Sequence, residues 1–431
     1  MNAMNRTFIL LILTLFAGIY TPTTHSLIPA PDFYRTPVFF GKTQSISPCQ
    51  ISFETAAFGG RSTDGFNGCG KNTALLSIYG PENIKDLAQG VPSSILNKNP
   101  DSILNTLFES DTSAPFGQIN WNGGIIEEFE WDATVLVGLA NGFFMEFFLP
   151  YRSIDLSDIG YQDLSSESSA NLVNYNDWKD FIDALNCNLT LYGLNNSKTS
   201  SSGVGDIIAM LGWSSLLYDS CMLHKWKVNA IETTLKFGVS MPTSNTVPFD
   251  QVFGLSRGYN GHTAFPLIFN GTLYFRKWIS FGAHISGTFF ASKKRVIGMK
   301  TAHSQNGFIK LAHGKAKIDR GPIWTFGAYM QANIYPGCSF LFGYGYTEEE
   351  KTLITPCDKD TFKCTIVNHD KRFDPWNFHM FHFIMEYDFT TCQHPDAPYV
   401  NIFISKPFKG ERVFDTSMFG ATLGINCTWK F

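Results

Sequence analysis

The last fifteen residues, Ser417–Phe431, hold a period of two to the end of the chain. Phe419, Ala421, Leu423, Ile425, Cys427, Trp429 and Phe431 share one parity. Met418, Gly420, Thr422, Gly424, Asn426, Thr428 and Lys430 share the other. Successive side chains of a strand point to opposite faces, so this strand has one apolar face and one small or polar face. Its apolar face must lie against a protein core or against lipid. A single strand leaves both open: an ordinary half-buried strand ending on Phe has the same pattern.

The pattern recurs. Strands are expected near 50–62, 125–140, 142–154, 203–218, 223–242, 263–277, 279–299, 318–335, 338–353, 376–390, 397–409 and 416–431. Gly321 to Thr347 is uncharged and long enough to span a bilayer as a helix, but its polarity alternates and Tyr335-Pro336-Gly337 breaks it in the middle. A hairpin fits that better than a helix. The connections alternate too. Those around Asn141, 219–222, 276–278, 335–337 and 391–396 are short. Those at 63–124, 155–202, 243–262, 300–317 and 354–375 are long, and only 409–415 is brief among them. Asn141-Gly142 suits a primed hairpin turn. Residues 72–79, 94–108 and 176–194 carry helical patterns, and loops 63–124 and 155–202 either cap the sheet or fold into it.

Composition agrees with strands that are wet on one side. Aromatic residues make up 15% of the chain and charged residues 16%. Mean hydropathy is nevertheless −0.05, which argues against a bundle of apolar helices. The net charge of −4 argues against a nucleic-acid partner.

An even number of alternating strands, short turns opposite long loops and a terminal aromatic resemble Gram-negative outer-membrane β-barrels. The resemblance is architectural and covers about 48–431, without pointing to one family. It implies an all-β antiparallel transmembrane barrel of about twelve strands with long extracellular loops, in the outer membrane and in contact with its lipid. It also implies that Phe431 belongs to the signal read by the barrel assembly machinery. The N-terminus is consistent with export. Arg6 precedes an apolar run from Phe8 to Tyr20, and Thr24-His25-Ser26 supplies small residues for cleavage. Residues 1–26 are read as a signal peptide, with an uncleaved anchor as the competitor, and 27–47 as an N-terminal periplasmic segment.

Charge on a lipid face is costly, so the charged parity of each strand is expected to face the lumen. This assigns Glu54, Glu128, Glu130, Asp132, Glu146, Asp206, Glu232, Lys236, Arg276, His382, Glu386 and Asp388 to the interior, an acid-rich lining with Lys236 and Arg276 as the cations. Such groups either fill a barrel or line a conduit. The two functional readings are porin-like passage of small solutes and a plugged barrel acting on partners through its outer loops.

No enzyme is expected. His284-Ile285-Ser286 resembles the His-x-Ser pair of outer-membrane phospholipase A, which has an Asn on an adjoining strand. The Ser-Asn-Gly continuation is missing, because Gly287-Thr288 follows, and parity turns both residues away from lipid. Gly203-Val204-Gly205-Asp206 resembles a glycine-Asp strand start of some hydrocarbon-uptake barrels. Of nine cysteines, Cys357 and Cys364 share one outer loop and are the disulfide candidates. Cys338 with Cys392 and Cys49 with Cys427 are weaker pairings. No cofactor or metal is expected: no cysteine spacing suits zinc, and His303 and His313 stand too far apart in sequence for a close ligand pair.

Overall fold

The computed structural model describes residues 50–89, 117–165, 172–191, 193–195, 199–218, 228–275, 278–389 and 397–428. The segments read as signal peptide and N-terminal arm, the 94–108 helix, Cys49, Arg276, Cys392 and Phe431 lie outside these residues.

Twelve antiparallel strands form the wall. They are β1 (Gln50–Ser62), β2 (Gln118–Gly138), β3 (Phe143–Asp163), β4 (Ile207–Tyr218), β5 (Val228–Met241), β6 (Ala264–Phe275), β7 (Ile279–Phe290), β8 (Ile323–Tyr335), β9 (Cys338–Glu349), β10 (Trp376–Asp388), β11 (Tyr399–Glu411) and β12 (Ser417–Thr428). Each pairs with the next, and β1 pairs with both β2 and β12, so the sheet closes on itself. Closure leaves no unpaired edge, which a bilayer demands of any spanning sheet. Among the described residues no helix is long and apolar enough to cross a membrane.

The outward parity is the apolar one. Phe129, Trp131, Phe147, Leu149, Phe237, Phe269, Phe281, Phe340, Phe383, Ile402 and Leu423 are all exposed on the wall. A belt of this extent around a water-soluble protein would be an aggregation surface, whereas hydrocarbon accepts it. The described short turns, at 139–142 and 335–337, lie where they were expected. Asn141 and Gly142 both have positive φ, at 58° and 82°, as a primed turn needs.

Four departures from the expected strands have local causes. The stretches read as 125–140 and 142–154 are much longer at their outer ends. At Gly123-Gly124 and Asp158, facing each other across β2 and β3, φ is positive (69°, 85° and 52°). Both strands there switch face together, from buried Ile126 and Leu156 to buried Trp121 and half-buried Tyr161, so the period of two is broken. A Cβ on Gly123 would lie 2.6 Å from the Asp158 carbonyl oxygen, so only glycine fits. The expected strand 279–299 is two, β7 and Lys293–Gly298, and 318–335 is likewise His313–Asp319 followed by β8. The extra pieces leave the wall and pair with Leu353–Pro356 in a separate three-stranded sheet. The strand expected at 203–218 is Thr199–Val204 and β4, broken at Gly205-Asp206.

The outer end is closed over by folded loops. Residues 75–87, α1 (Leu172–Asp183), α2 (Leu185–Leu191), 252–255 and 308–311 share one apolar core with the tall ends of β2 and β3. Trp121, Trp178, Phe181, Phe253 and Phe308 fill it, each at most 1–2% exposed. The two helices occupy the stretch where the sequence placed a helical pattern. The three-stranded outer sheet and a short helix, Cys364–Val367, bury a smaller core of Ile297, Ile318, Ile354, Phe362 and Val367. Cys357 and Cys364, expected to bridge, are both free and exposed. Between them the Asp358 carboxylate accepts the amides of Asp360 and Thr361, so hydrogen bonds rather than a disulfide hold that turn. Cys338 and Cys427 are also free.

Candidate functional site

The interior is the candidate site, and its chemistry follows from which inward residues lie opposite one another. β2 turns Glu128, Glu130 and Asp132 inward, all at most 5% exposed. Glu130 is directly opposite Arg152 of β3 in the ladder. The Arg152 Nε donates to Glu130 Oε2 at 2.5 Å and Nη2 to Oε1 at 3.1 Å, a fork-on-fork pair. Its third arm, Nη1, donates to the Arg257 carbonyl at 3.0 Å. Sequence reasoning missed Arg152, although it shares the parity of Glu146 on the same strand and could have been found from it.

Lower in the barrel, Lys236 Nζ reaches Glu146 at 2.6 Å. The Tyr274 hydroxyl donates to Glu232 at 2.6 Å, and the Tyr399 hydroxyl to Glu54. His382 meets Ser405, directly opposite it, through Nδ1 at 2.8 Å. Glu386 is buried beside these, and Asp388 is half-buried at the end of β10. Parity thus brings these expected side chains inside, with Arg276 outside the described residues. Tyrosines do much of the pairing that charged partners were expected to do.

Asp206 is the exception. It sits at the break before β4 and accepts the backbone amides of Ser244 at 3.0 Å and Tyr259 at 2.6 Å. It therefore anchors the 242–263 connection, which turns inward rather than out. Residues 252–258 and 260–262 of this segment are buried. The Arg257 guanidinium donates to the Ser202 carbonyl and occupies the space where a Cβ on Gly203 would stand, 1.8 Å away. Gly203 has φ of 135°, so both its backbone and its neighbour require glycine. Burial, opposed by Tyr151 and Asp206, lowers the pKa of Arg257. At the far end His262 Nδ1 lies 3.1 Å from the Ala291 carbonyl, and Arg295 donates to the Asn260 carbonyl at 2.7 Å.

One patch of the interior, on strands that also carry Glu54, His382 and Ser405, is apolar. Phe58, Phe378, Met380, Phe403 and Met418 point inward with Trp376 and Ile323, and Tyr259 of the 242–263 segment packs against them. Phe58 and Phe403 meet edge to face at 5.8 Å. These residues were not anticipated: each lies on the parity assigned to the lumen, where polar groups were expected.

His284 and Ser286 also face inward, 4% and 6% exposed, while Ile285 between them faces out at 39%. Asn270 is opposite His284 in the ladder. The arrangement places the His-x-Ser pair away from the lipid side. Among the described residues no group of three or more His, Cys, Asp or Glu side chains is gathered as for a metal ion.

No protein-family model matches the chain, and no curated protein matches it. Solved structures do. An outer-membrane channel from Pseudomonas putida F1 superposes with a TM-score of 0.51 at 10% identity, covering 90% of this chain and 99% of that one. A FadL homologue from Pseudomonas aeruginosa and the Pseudomonas putida toluene transporter TodX give TM-scores of only 0.30 and 0.33, at 10% and 9% identity. They cover 95% and 92% of this chain and 99% and 94% of theirs. At these identities the likeness concerns fold. A closed twelve-stranded antiparallel wall, apolar outside and superposable over nearly its whole length on a solved outer-membrane channel, is the fold of a Gram-negative outer-membrane β-barrel.

Proposed function

We propose that the protein is an outer-membrane channel for small solutes, with an interior that favours cations and a passage narrowed by the inward 242–263 segment. The observation that carries this reading is the sign of the inward charge. On the described wall strands Glu54, Glu128, Glu130, Asp132, Glu146, Glu232 and Glu386 face Arg152 and Lys236. A narrow passage of low dielectric lined by one sign concentrates counter-ions. The solved channel of the same fold supports the transport class. His284 and Ser286 are read as lining, not as a catalytic pair; ester hydrolysis lost in Ser286→Ala would overturn that.

Reversal potentials in a salt gradient across planar bilayers test the reading. A cation preference is expected, weakening at 1 M salt, where screening acts over roughly 3 Å. Glu130 is committed to Arg152, so Glu128→Gln with Asp132→Asn is the informative variant: it should reduce the preference and leave folding intact. Anion preference, or no conductance even with residues 251–258 shortened, would end the channel reading.

The second reading is a plugged barrel that binds partners outside. It is favoured by the outer three-stranded sheet, which has its own core and takes no part in the wall. Binding to surfaces or proteins that depends on 293–319 and 353–367, without conductance, distinguishes it.

A further inference from the structure

The outer face brings together two exposed histidines that lie far apart in sequence. The rings of His303, in the loop after the Lys293–Gly298 strand, and His369, after the Cys364–Val367 helix, are 5.2 Å apart between centroids and inclined at 76°. We propose that His303 and His369 form a surface site for a late first-row divalent cation of the zinc class, with water completing the coordination shell.

Three observations converge on it. The first is the spacing. With a zinc–nitrogen bond of about 2.0–2.1 Å and the ring centre ~1.1 Å behind the nitrogen, two imidazoles at a tetrahedral angle stand roughly 5 Å apart between centroids. The second is the orientation of one ring. His369 Nδ1 lies at hydrogen-bond distance from the Thr365 carbonyl oxygen. A carbonyl can only accept, so Nδ1 carries a proton and Nε2 is the nitrogen left to face a metal. That is the outer-shell arrangement of metal-bound histidines. The third is preorganisation. Lys300, 1% exposed, donates through Nζ to the carbonyls of His303 at 2.9 Å and His369 at 3.3 Å. One buried ammonium thus fixes both ligand-bearing backbones.

The ligands select the ion. The charges around Lys300 are mixed, Asp370 and Asp374 against Arg372 and Lys371. That field favours neither sign, so the choice falls to the ligands, and imidazole nitrogens suit zinc, copper and nickel rather than a hard cation. A bound ion would staple the 299–312 loop to the 364–369 turn on the outer face.

The test is equilibrium dialysis of untagged, full-length protein in detergent micelles against zinc chloride, with magnesium in excess. One zinc per chain is expected to disappear in His303→Ala and in His369→Gln. Either change removes a ligand, so the affinity should fall by more than about tenfold, the least that losing an outer-shell partner costs. His313→Ala, whose ring packs on Phe249 at 4.8 Å, should leave binding unchanged. Heat-modified mobility on gels confirms that each variant is folded. Wild-type protein that binds no zinc, or equal zinc in folded His303→Ala and His369→Gln, would overturn the proposal.

Discussion

Two patches of the interior use the same parity and opposite chemistry. On β2 and β3 the inward positions include Glu128, Glu130, Asp132, Glu146 and Arg152, with charge-assisted bonds from Arg152 to Glu130 and from Lys236 of β5 to Glu146. On β10, β11, β12 and β1 they include Phe378, Met380, Phe403, Met418 and Phe58, joined by packing. Both sets are hidden from lipid. The difference teaches that alternation says which way a side chain points, while what it meets there decides its chemistry. The 242–263 segment is the seam between the patches. The Arg257 carbonyl is held by Arg152 on the polar side, and two residues later Tyr259 enters the aromatic cluster.

The largest way to break this contrast is to remove one partner from the polar side. Arg152→Met leaves Glu130 as a buried carboxylate without its fork, and takes a bond from the seam. The expected loss is about 3–5 kcal/mol, because the charge that remains is desolvated and uncompensated. It is read as a fall in the temperature at which the folded form converts to unfolded mobility in detergent. Adding Glu130→Leu should recover much of the loss, since an apolar pair replaces the ionic one. If the single variant were as stable as wild type, the pair would be incidental to the wall.

The seam can also be loosened by acid. Burial, with Arg320 adding to it, lowers the His262 pKa from 6.5 to about 4. The folded state therefore refuses a proton that the released segment accepts. Nothing is lost above pH 6.5; stability falls as pH drops below it and the loss is complete near pH 4. The linked effect is on the order of 3 kcal/mol at most. Protease access to 242–263, or conductance if a channel is present, should rise across that window in wild type and not in His262→Gln. An identical acid response in both would assign it to other groups.

The wall was legible because lipid, unlike a protein core, imposes one simple demand on every strand. Phe419 to Ile425 and Phe265 to Phe269 answer it residue by residue. The turn at Asn141-Gly142 was legible because two positive φ values need those residue types. The outer ends were not. The paired irregularity at Gly123-Gly124 and Asp158 switches two strands at once, and nothing in either strand alone reports its partner. The expected strands 279–299 and 318–335 run on into Lys293–Gly298 and Ile318–Asp319, which have left the wall, so periodicity did not mark the exit. Within the site, Lys236 was readable by sign, and Arg152 was readable by parity but overlooked. Arg257 and Tyr259 were not readable, since they come from a connection whose inward course depends on Asp206 holding two of its amides.

The smallest test asks whether the aromatic side borders the same passage as the acidic one. Phe403 rests over Gly420, where a Cβ would stand 2.6 Å from its ring, and meets Phe58 edge-on. Phe403→Leu keeps an apolar group there and removes the edge-to-face contact, so it should cost about 1 kcal/mol. It changes no charge. If the aromatic cluster is filling, the reversal potential in a salt gradient should be that of wild type and only the unfolding temperature should fall slightly. If the cluster lines the passage, the shorter side chain should widen it, raise single-channel conductance and weaken the cation preference set by Glu128 and Asp132. The first outcome is expected, because Tyr259 and Ile323 already pack against this side and leave its chemistry to cohesion. The second would mean that ions pass between the two walls and that both chemistries act on the solute.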